Sequence, residues 1–203
     1  MSKPTFFEEN ILWQKGFRYI AGVDEVGRGC FAGPVVAAAV ILPINFNATD
    51  GINDSKLLSA KKREKLAVII KKYCVSYSIA EVPIETINEE GIGRATQKAF
   101  HKSVITLSVK PEYIFIDAFY IDNLDKENQK PIVHGDRKSI SIAAASIIAK
   151  VYRDELMQKL HDKYPQYYLY QNKGYGTKKH REAIKKYGLS DLHRKSFNLA
   201  IYT

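Results

Sequence analysis

The chain has 203 residues, 45% hydrophobic and 26% charged, a balance that excludes disorder as the main state and suits one domain with a sizeable core. Its net charge of +9 lies wholly at one end: residues 1–136 hold 17 basic and 17 acidic side chains, residues 137–203 hold 14 and 5. The last third also carries eight of the 13 tyrosines, and basic groups interleaved with aromatic rings point to a nucleic-acid partner, with a solvated basic face as the alternative.

Two cysteines, Cys30 and Cys74, are too few for a disulfide framework and lack metal or redox spacing, which fits a cytoplasmic setting. The N-terminus has no apolar secretory core. The uninterrupted apolar run 35–42, bracketed by Pro34 and Pro43, has the length of a buried strand rather than a membrane span, so no membrane partner is expected.

In chain order, residues 1–16 are a lead-in in which Phe6, Phe7, Ile11, Leu12 and Trp13 pack as a short helix. A first strand over 19–23 runs into Asp24 and Glu25, and a second over 35–42 is antiparallel to it. Two adjacent carboxylates at a strand end repel each other, so either a hard cation sits between them or solvent covers both. Both reach one ion only if the strand ends there, because successive side chains of a strand point to opposite faces. Gly27-Arg28-Gly29 follows, with glycines that let backbone approach a ligand and a guanidinium suited to phosphate; a plain solvated turn is the other reading.

After a loop over 43–51 comes the polar cluster Asn53-Asp54-Ser55-Lys56, in which Lys56 is either a phosphate contact or a loop charge. Ser59 caps a helix over 60–73 that buries Leu66, Ile69, Ile70 and Tyr73. A third strand spans 75–82, and helical periodicity over 84–107 is broken at Gly91-Ile92-Gly93. Strands over 113–117 and 131–136 each end in an acid, Asp117 and Asp136, repeating the logic of Asp24; a lone strand-end aspartate is otherwise a turn former.

Ser139 caps a helix over 140–164. It buries Ile140, Ala144, Ile147, Ile148 and Val151, and carries Ser146, Lys150 and Arg153 as a polar, basic stripe on the opposite side, a solvent face unless it lies beside the acids. In the tail, Tyr175 between Gly174 and Gly176 is exposed by its flanks as a stacking residue should be, and Lys178, Lys179 and Arg181 meet phosphates. His180 and His193 have no cysteine nearby and the wrong spacing for zinc.

Several motifs occur together and in order: Gly22-Val23-Asp24-Glu25-Val26-Gly27-Arg28-Gly29 with Gly33-Pro34, Asp54-Ser55-Lys56, Gly135-Asp136-Arg137-Lys138-Ser139, Ile142-Ala143-Ala144-Ala145-Ser146 with Lys150 and Arg153-Asp154, Lys173-Gly174-Tyr175-Gly176-Thr177, and His193-Arg194-Lys195-Ser196-Phe197. Over about residues 18–198 the chain resembles bacterial ribonuclease HII. The segment before it is too short for the extra domain of ribonuclease HIII, which favours type HII. Ala118 follows Asp117 where many relatives carry glycine, a departure that bears on the local turn.

The resemblance implies an α/β, ribonuclease H-like fold: a mixed five-stranded sheet flanked by helices, with a helical C-terminal part. It divides the chain into the lead-in 1–16, a catalytic core 17–164, and a basic, Tyr-rich part 165–203 of the same domain. It implies a metal-dependent endonuclease acting on RNA·DNA hybrids and on single ribonucleotides in duplex DNA, in removal of misincorporated ribonucleotides and RNA primers. Two Mg²⁺ or Mn²⁺ ions are expected on Asp24, Glu25, Asp117 and Asp136. Gly27, Arg28 and Gly29 are expected to read the 2′-hydroxyl, Tyr175 to sense the junction, and Lys56, Ser146, Lys150 and Arg153 to bind substrate. A monomer is expected; a replication clamp is a partner the sequence does not resolve.

Three competing readings are a DNA resolvase-like nuclease of the same fold, a non-catalytic hybrid-binding module and a small-molecule metal hydrolase. A resolvase has no use for a 2′-hydroxyl reader, a binding module does not need four acids, and a small-molecule hydrolase leaves the charge asymmetry unexplained.

Overall fold

Every residue of the strand β2 (Val35–Ile41), VVAAAVI, is buried, because a sheet covered on both faces has no wet side. In the computed structural model, which describes residues 3–47 and 51–202, β2 lies between β1 (Ile20–Val26) and β3 (Ser76–Val82), antiparallel to both. On its other side β1 pairs in parallel with β4 (Tyr113–Asp117), which pairs in parallel with β5 (Gln129–Ile132). The sheet order β3-β2-β1-β4-β5 makes β1 the middle strand, with Asp24 and Glu25 near its end. Of the expected loop 43–51, residues 48–50 lie outside the described residues, as do residues 1, 2 and 203 of the expected terminal segments.

Among the described residues there are six helices: α1 (Phe7–Gln14), α2 (Ala60–Tyr73), α3 (Ile84–Ile105) and α4 (Ile140–Lys163), which flank the sheet, and α5 (Leu169–Asn172) and α6 (Lys178–Tyr187), which belong to the C-terminal part. The alternation of β2 sorts the two cores. Val36, Ala38 and Val40 meet α2 and α4, while Val35, Ala37, Ala39 and Ile41 meet α3. Ala143, Ala144 and Ala145 bring α4 close to the sheet. The expected caps hold: the hydroxyls of Ser59 and Ser139 accept the amides of Lys62 and Ile142. So does the expected break in α3, where Gly91 leaves helical geometry at φ 82°.

Four expectations change. The first strand does not stop at residue 23; it runs through Val26 because Val26 still pairs with Val36 of β2. The strand expected over 131–136 is β5, which ends at Ile132, and Asp136 sits beyond it in a 3₁₀ turn, Gly135–Arg137. In α2 the buried residues are Leu66, Ala67 and Ile70, with Tyr73 exposed where the helix overhangs the core. In α1, Phe7 and Ile11 face solvent, and Leu12 packs with Ile20, Phe115, Ile132 and Ile142.

A buried acid missing from the sequence reading fastens α1. Glu9 Oε1 accepts the Ser139 hydroxyl at 2.6 Å and the Ser141 amide at 2.9 Å. Thr5 bridges to Ser139. The N-terminal helix is thereby tied to the N-cap of α4, three residues after Asp136.

Candidate active site

Asp24 and Glu25 come from β1, Asp117 from the end of β4 and Asp136 from the 3₁₀ turn beyond β5, so the fold gathers acids that are up to 112 positions apart in the sequence. Asp24 is 5% exposed. It shares its face with Gly22, which packs against the Ser141–Ile142 backbone of α4. Its Oδ1 accepts the Glu25 amide at 2.7 Å, and the Ser146 hydroxyl hydrogen-bonds its carboxylate. Glu25 leaves the opposite face by strand alternation. Asp117 closes β4, and its Oδ1 accepts the Gly135 amide at 2.7 Å, which fixes the turn that carries Asp136. The next residue, Ala118, takes φ 65°, the left-handed conformation that glycine adopts without strain and alanine only at a cost of about 1–2 kcal/mol.

These acids oppose one another's ionisation. Burial, then the charges of Glu25, Asp117 and Asp136, hold the Asp24 carboxyl well above the usual range, against the Ser146 hydrogen bond. Burial and Asp117 raise Glu25 to about 6, against Arg28 and Lys56. Burial, Asp54 and Asp117 raise Asp136 to about 6, against Lys56 and Arg137. Among the described residues no three acidic, histidine or cysteine side chains converge closely enough to form a ready-made metal cage. Four oxygen-donor carboxylates with their charges uncompensated nevertheless suit a hard divalent cation, whose charge would relieve each of these shifts.

Lys56 is placed by its neighbours. Asp54 is fully buried and accepts the Lys56 amide at 3.0 Å and Arg137 Nε at 3.0 Å. Burial works against the Asp54 charge, but the Lys56 amide and the Arg137 guanidinium outweigh it and hold its carboxyl below the usual range. Ser55 and Ser146 touch hydroxyl to hydroxyl at 3.0 Å, so the turn is docked on α4 and the exposed Lys56 ammonium enters the field of Glu25 and Asp136. Asp54 and Arg137 are supporting residues that the sequence reading passed over, although Asp-Ser-Lys beside Gly-Asp-Arg was visible.

The stripe expected on α4 is not a solvent face. Ser146 and Arg153 are buried, because the sheet covers one side of the helix while α2 and the C-terminal part cover the other. Arg153 is 0% exposed and donates to three carbonyls: Pro34 at 3.0 Å, Lys173 at 2.8 Å and Ala32 at 3.1 Å. A guanidinium so engaged is not a phosphate contact. Lys150 is half-buried and pairs with Asp154 at 2.6 Å.

Arg153 instead holds the loop 27–34, and a second fully buried arginine completes the grip. Arg194 donates through Nε and Nη2 to the Gly33 carbonyl and through Nη1 to the Arg28 carbonyl at 2.8 Å. The loop also pairs by backbone with the tail: the Phe31 and Ala32 amides donate to Gly174, and the Arg194 amide donates to Phe31. Arg28 and Gly29 are exposed, and the Arg28 guanidinium stacks 4.8 Å from the Phe119 ring centroid. Arg194 was legible in the sequence only as part of a motif.

Tyr175 is 38% exposed. Burial of its hydroxyl, then the neighbouring Cys30 thiol, push the phenol up to about 12. Its glycine flanks serve packing rather than exposure. Gly174 has φ 87° and abuts the Ala32 carbonyl, and a Cβ on Gly176 would overlap the Phe31 ring. Tyr175 and Arg28 thus belong to one cross-linked unit, next to the acids and distinct from them.

A nuclease-type site on a ribonuclease H-like sheet is the class these features define. The sequence model of ribonuclease HII matches residues 21–200. Ribonuclease HII of Caldanaerobacter subterraneus subsp. tengcongensis is 52% identical over 191 residues, covering 94% of this chain and 78% of the relative. That of Clostridium beijerinckii is 53% identical over 184 residues, covering 89% and 68%.

Among solved structures, ribonuclease H2 from Pyrococcus horikoshii superposes with a TM-score of 0.75 at 26% identity, covering 90% of this chain and 95% of that one. The ribonuclease HII of Archaeoglobus fulgidus, solved in complex with PCNA, gives 0.73 at 27%, covering 89% and 96%. Bst-RNase HIII in complex with Mn²⁺ gives 0.72 at 22% identity, covering 91% and 68%, a likeness of fold. The chain belongs to the ribonuclease HII family. It is a ribonuclease H endoribonuclease, acting on RNA·DNA hybrids, of a metal-dependent family. Among the described residues no helix is long and apolar enough to cross a membrane.

Proposed function

We propose that the protein cuts the RNA strand of hybrids and also the 5′ side of single ribonucleotides embedded in duplex DNA, leaving 3′-hydroxyl and 5′-phosphate ends, in the removal of misincorporated ribonucleotides and RNA primers. The observation that carries this reading is the adjacency of two units: a carboxylate cluster in which Asp24, Glu25 and Asp136 are raised beside Asp117, and an exposed Arg28 with Tyr175 on one cross-linked support. Asp24, Glu25, Asp117 and Asp136 would hold Mg²⁺ or Mn²⁺, which when bound supplies a water nucleophile active at neutral pH and charge stabilisation at the leaving oxygen. The Mn²⁺ complex of the HIII neighbour supports that choice of ions.

The chain's own residues then do five things. The backbone of Gly27, Arg28 and Gly29 binds the ribose 2′-hydroxyl, the group that separates RNA from DNA. The Tyr175 ring stacks on the following deoxynucleotide. Lys56, fixed by the Asp54 turn, neutralises phosphate beside the acids. Ser146 orients Asp24. Lys178, Lys179 and Arg181, all exposed on or near the N-terminal half of α6, hold the duplex without reading its sequence. We take the chain to act as a cytoplasmic monomer, and the PCNA complex of the archaeal neighbour supports a sliding clamp as a further partner.

The test is an end-labelled DNA duplex with one ribonucleotide, incubated with Mg²⁺ or Mn²⁺ beside an all-DNA duplex and an Asp24→Asn variant. One cut on the 5′ side of the ribonucleotide, absent from both controls, is expected. Cutting of long hybrids with the single-ribonucleotide duplex left intact would overturn the junction reading.

A further inference from the structure

His180 and His193 lie 13 residues apart, and neither is exposed. Their Nε2 atoms face each other at 3.2 Å. The partners at the two outer nitrogens decide where the protons are. The Ser190 amide, which can only donate, lies 2.9 Å from His193 Nδ1, so that nitrogen accepts and the proton of a neutral ring sits on Nε2. The Tyr175 carbonyl, which can only accept, lies 2.9 Å from His180 Nδ1, so that nitrogen carries the proton and Nε2 is left as an acceptor. One direction satisfies every atom: Ser190 to His193, His193 to His180, His180 to Tyr175.

The arrangement works only with both rings neutral, and the surroundings keep them so. Burial, then the neighbouring His180, push His193 down to about 4, and burial lowers His180 against the Tyr175 carbonyl. The Tyr167 ring lies edge-on to both imidazoles, at 4.7 Å from His193 and 6.2 Å from His180, and Phe31 lies 6.1 Å from His180. The next residue after His193 is Arg194, whose Nη1 holds the Arg28 carbonyl.

We propose that His180 and His193 are positioning residues for Tyr175: a directed chain of two neutral imidazoles fixes the Tyr175 carbonyl, and residues 193 and 194 together set the spacing between the junction-sensing ring and the ribose-reading loop. This rests on the reading of Tyr175 given above. Loss of the chain leaves the acids untouched and lets the Tyr175 loop drift, so cutting at a single-ribonucleotide junction suffers more than cutting within a long hybrid.

The intact protein supplies the first measurement. In uniformly ¹⁵N-labelled wild type at pH 7, long-range ¹H–¹⁵N spectra should show His180 as the Nδ1–H tautomer and His193 as the Nε2–H tautomer. A His180 proton on Nε2, or a charged ring at either position, overturns the chain. The second measurement is the ratio of kcat/KM on the single-ribonucleotide duplex to that on a long hybrid. His193→Phe should lower the ratio about tenfold and His180→Asn, which keeps a donor near the Tyr175 carbonyl, by less than about threefold, since small misplacements of a substrate-orienting group cost rates of this order.

Equal losses on both substrates, or no loss on either, overturn the positioning role. Tyr175→Ala is the comparator. If it leaves the ratio unchanged, the reading of Tyr175 falls and the positioning role falls with it; if it lowers the ratio and His193→Phe does not, only the linkage falls.

Discussion

The acid cluster and the loop 27–34 are neighbours built on opposite principles. Asp24, Glu25 and Asp136 repel one another and carry raised carboxyls, with too little positive charge near them to settle the conflict. The loop, by contrast, has two fully buried guanidiniums holding four of its carbonyls, at Arg28, Ala32, Gly33 and Pro34. Charge left unsatisfied is what a cation-dependent centre requires, since a cluster neutralised by its own protein would have nothing to offer a metal. Backbone over-determined by donors suits the proposed reading of one hydroxyl, since discrimination depends on atoms that do not yield.

Removing one charge from the frustrated side should separate stability from activity. Glu25→Gln is expected to lower the cleavage rate by at least about 10³-fold, the scale set by losing one member of an electrostatic catalytic set. The same change should raise the metal-free protein's stability at pH 7.5 by about 1–2 kcal/mol, because about one pKa unit corresponds to 1.4 kcal/mol.

The sign follows from proton counts. A carboxyl raised to about 6 binds its proton more tightly in the native state than in the unfolded chain, so wild-type stability falls as pH rises from about 4.5 through 6. The gap between variant and wild type should therefore be small at pH 5 and full at pH 7.5. Thermal unfolding in EDTA at both values measures it. His180 and His193, whose lowered values act in the opposite direction, are common to both proteins and cancel. A variant less stable than wild type at pH 7.5 would mean the cluster is not frustrated.

On the over-determined side, Arg153→Met keeps the bulk and removes the donors. It should cost about 3–5 kcal/mol in urea unfolding, because three buried carbonyls lose their partner. If Arg153 were a phosphate contact, stability would barely move while substrate KM rose. The smallest expected effect lies at the boundary between the two units. Ala118→Gly should gain about 0.5–1 kcal/mol, the relief of a left-handed alanine less the added freedom of the unfolded glycine.

Local signals in the sequence read well where local chemistry decides. Ser59 and Ser139 cap the helices expected of them, 113–117 is β4 to the residue, and Gly91 breaks α3. Errors fall where a distant partner decides. Charges at 24 and 25 look like a strand end, yet the β2 ladder carries β1 on to Val26. Asp136 looks like a strand terminus, but its turn is set by a carboxylate 19 positions earlier, Asp117 on the Gly135 amide. Arg153 reads as a wet cation because carbonyls at 32, 34 and 173 leave no trace in a helical spacing. Glu9 hides in an acidic first turn, and only the fold reveals that Ser139 and Ser141 receive it. Asp24 and Asp117 stand out in the sequence because each directly follows an apolar run, while Glu25 and Asp136 stand out through their motifs, Asp24-Glu25 and Gly135-Asp136-Arg137.

Gly22 turns a missing side chain into a gauge. Its α-hydrogen side meets the Ser141 carbonyl and the Ile142 amide with no room for a methyl group, so the radius of a hydrogen atom sets how near the first turn of α4 comes to the middle strand. Asp24 stands two residues further along that strand, and Asp136 stands just before that helix. The separation of the Asp24 and Asp136 carboxylates is thus calibrated at a position with no chemistry of its own, and a single added carbon there would detune the acid cluster from beneath.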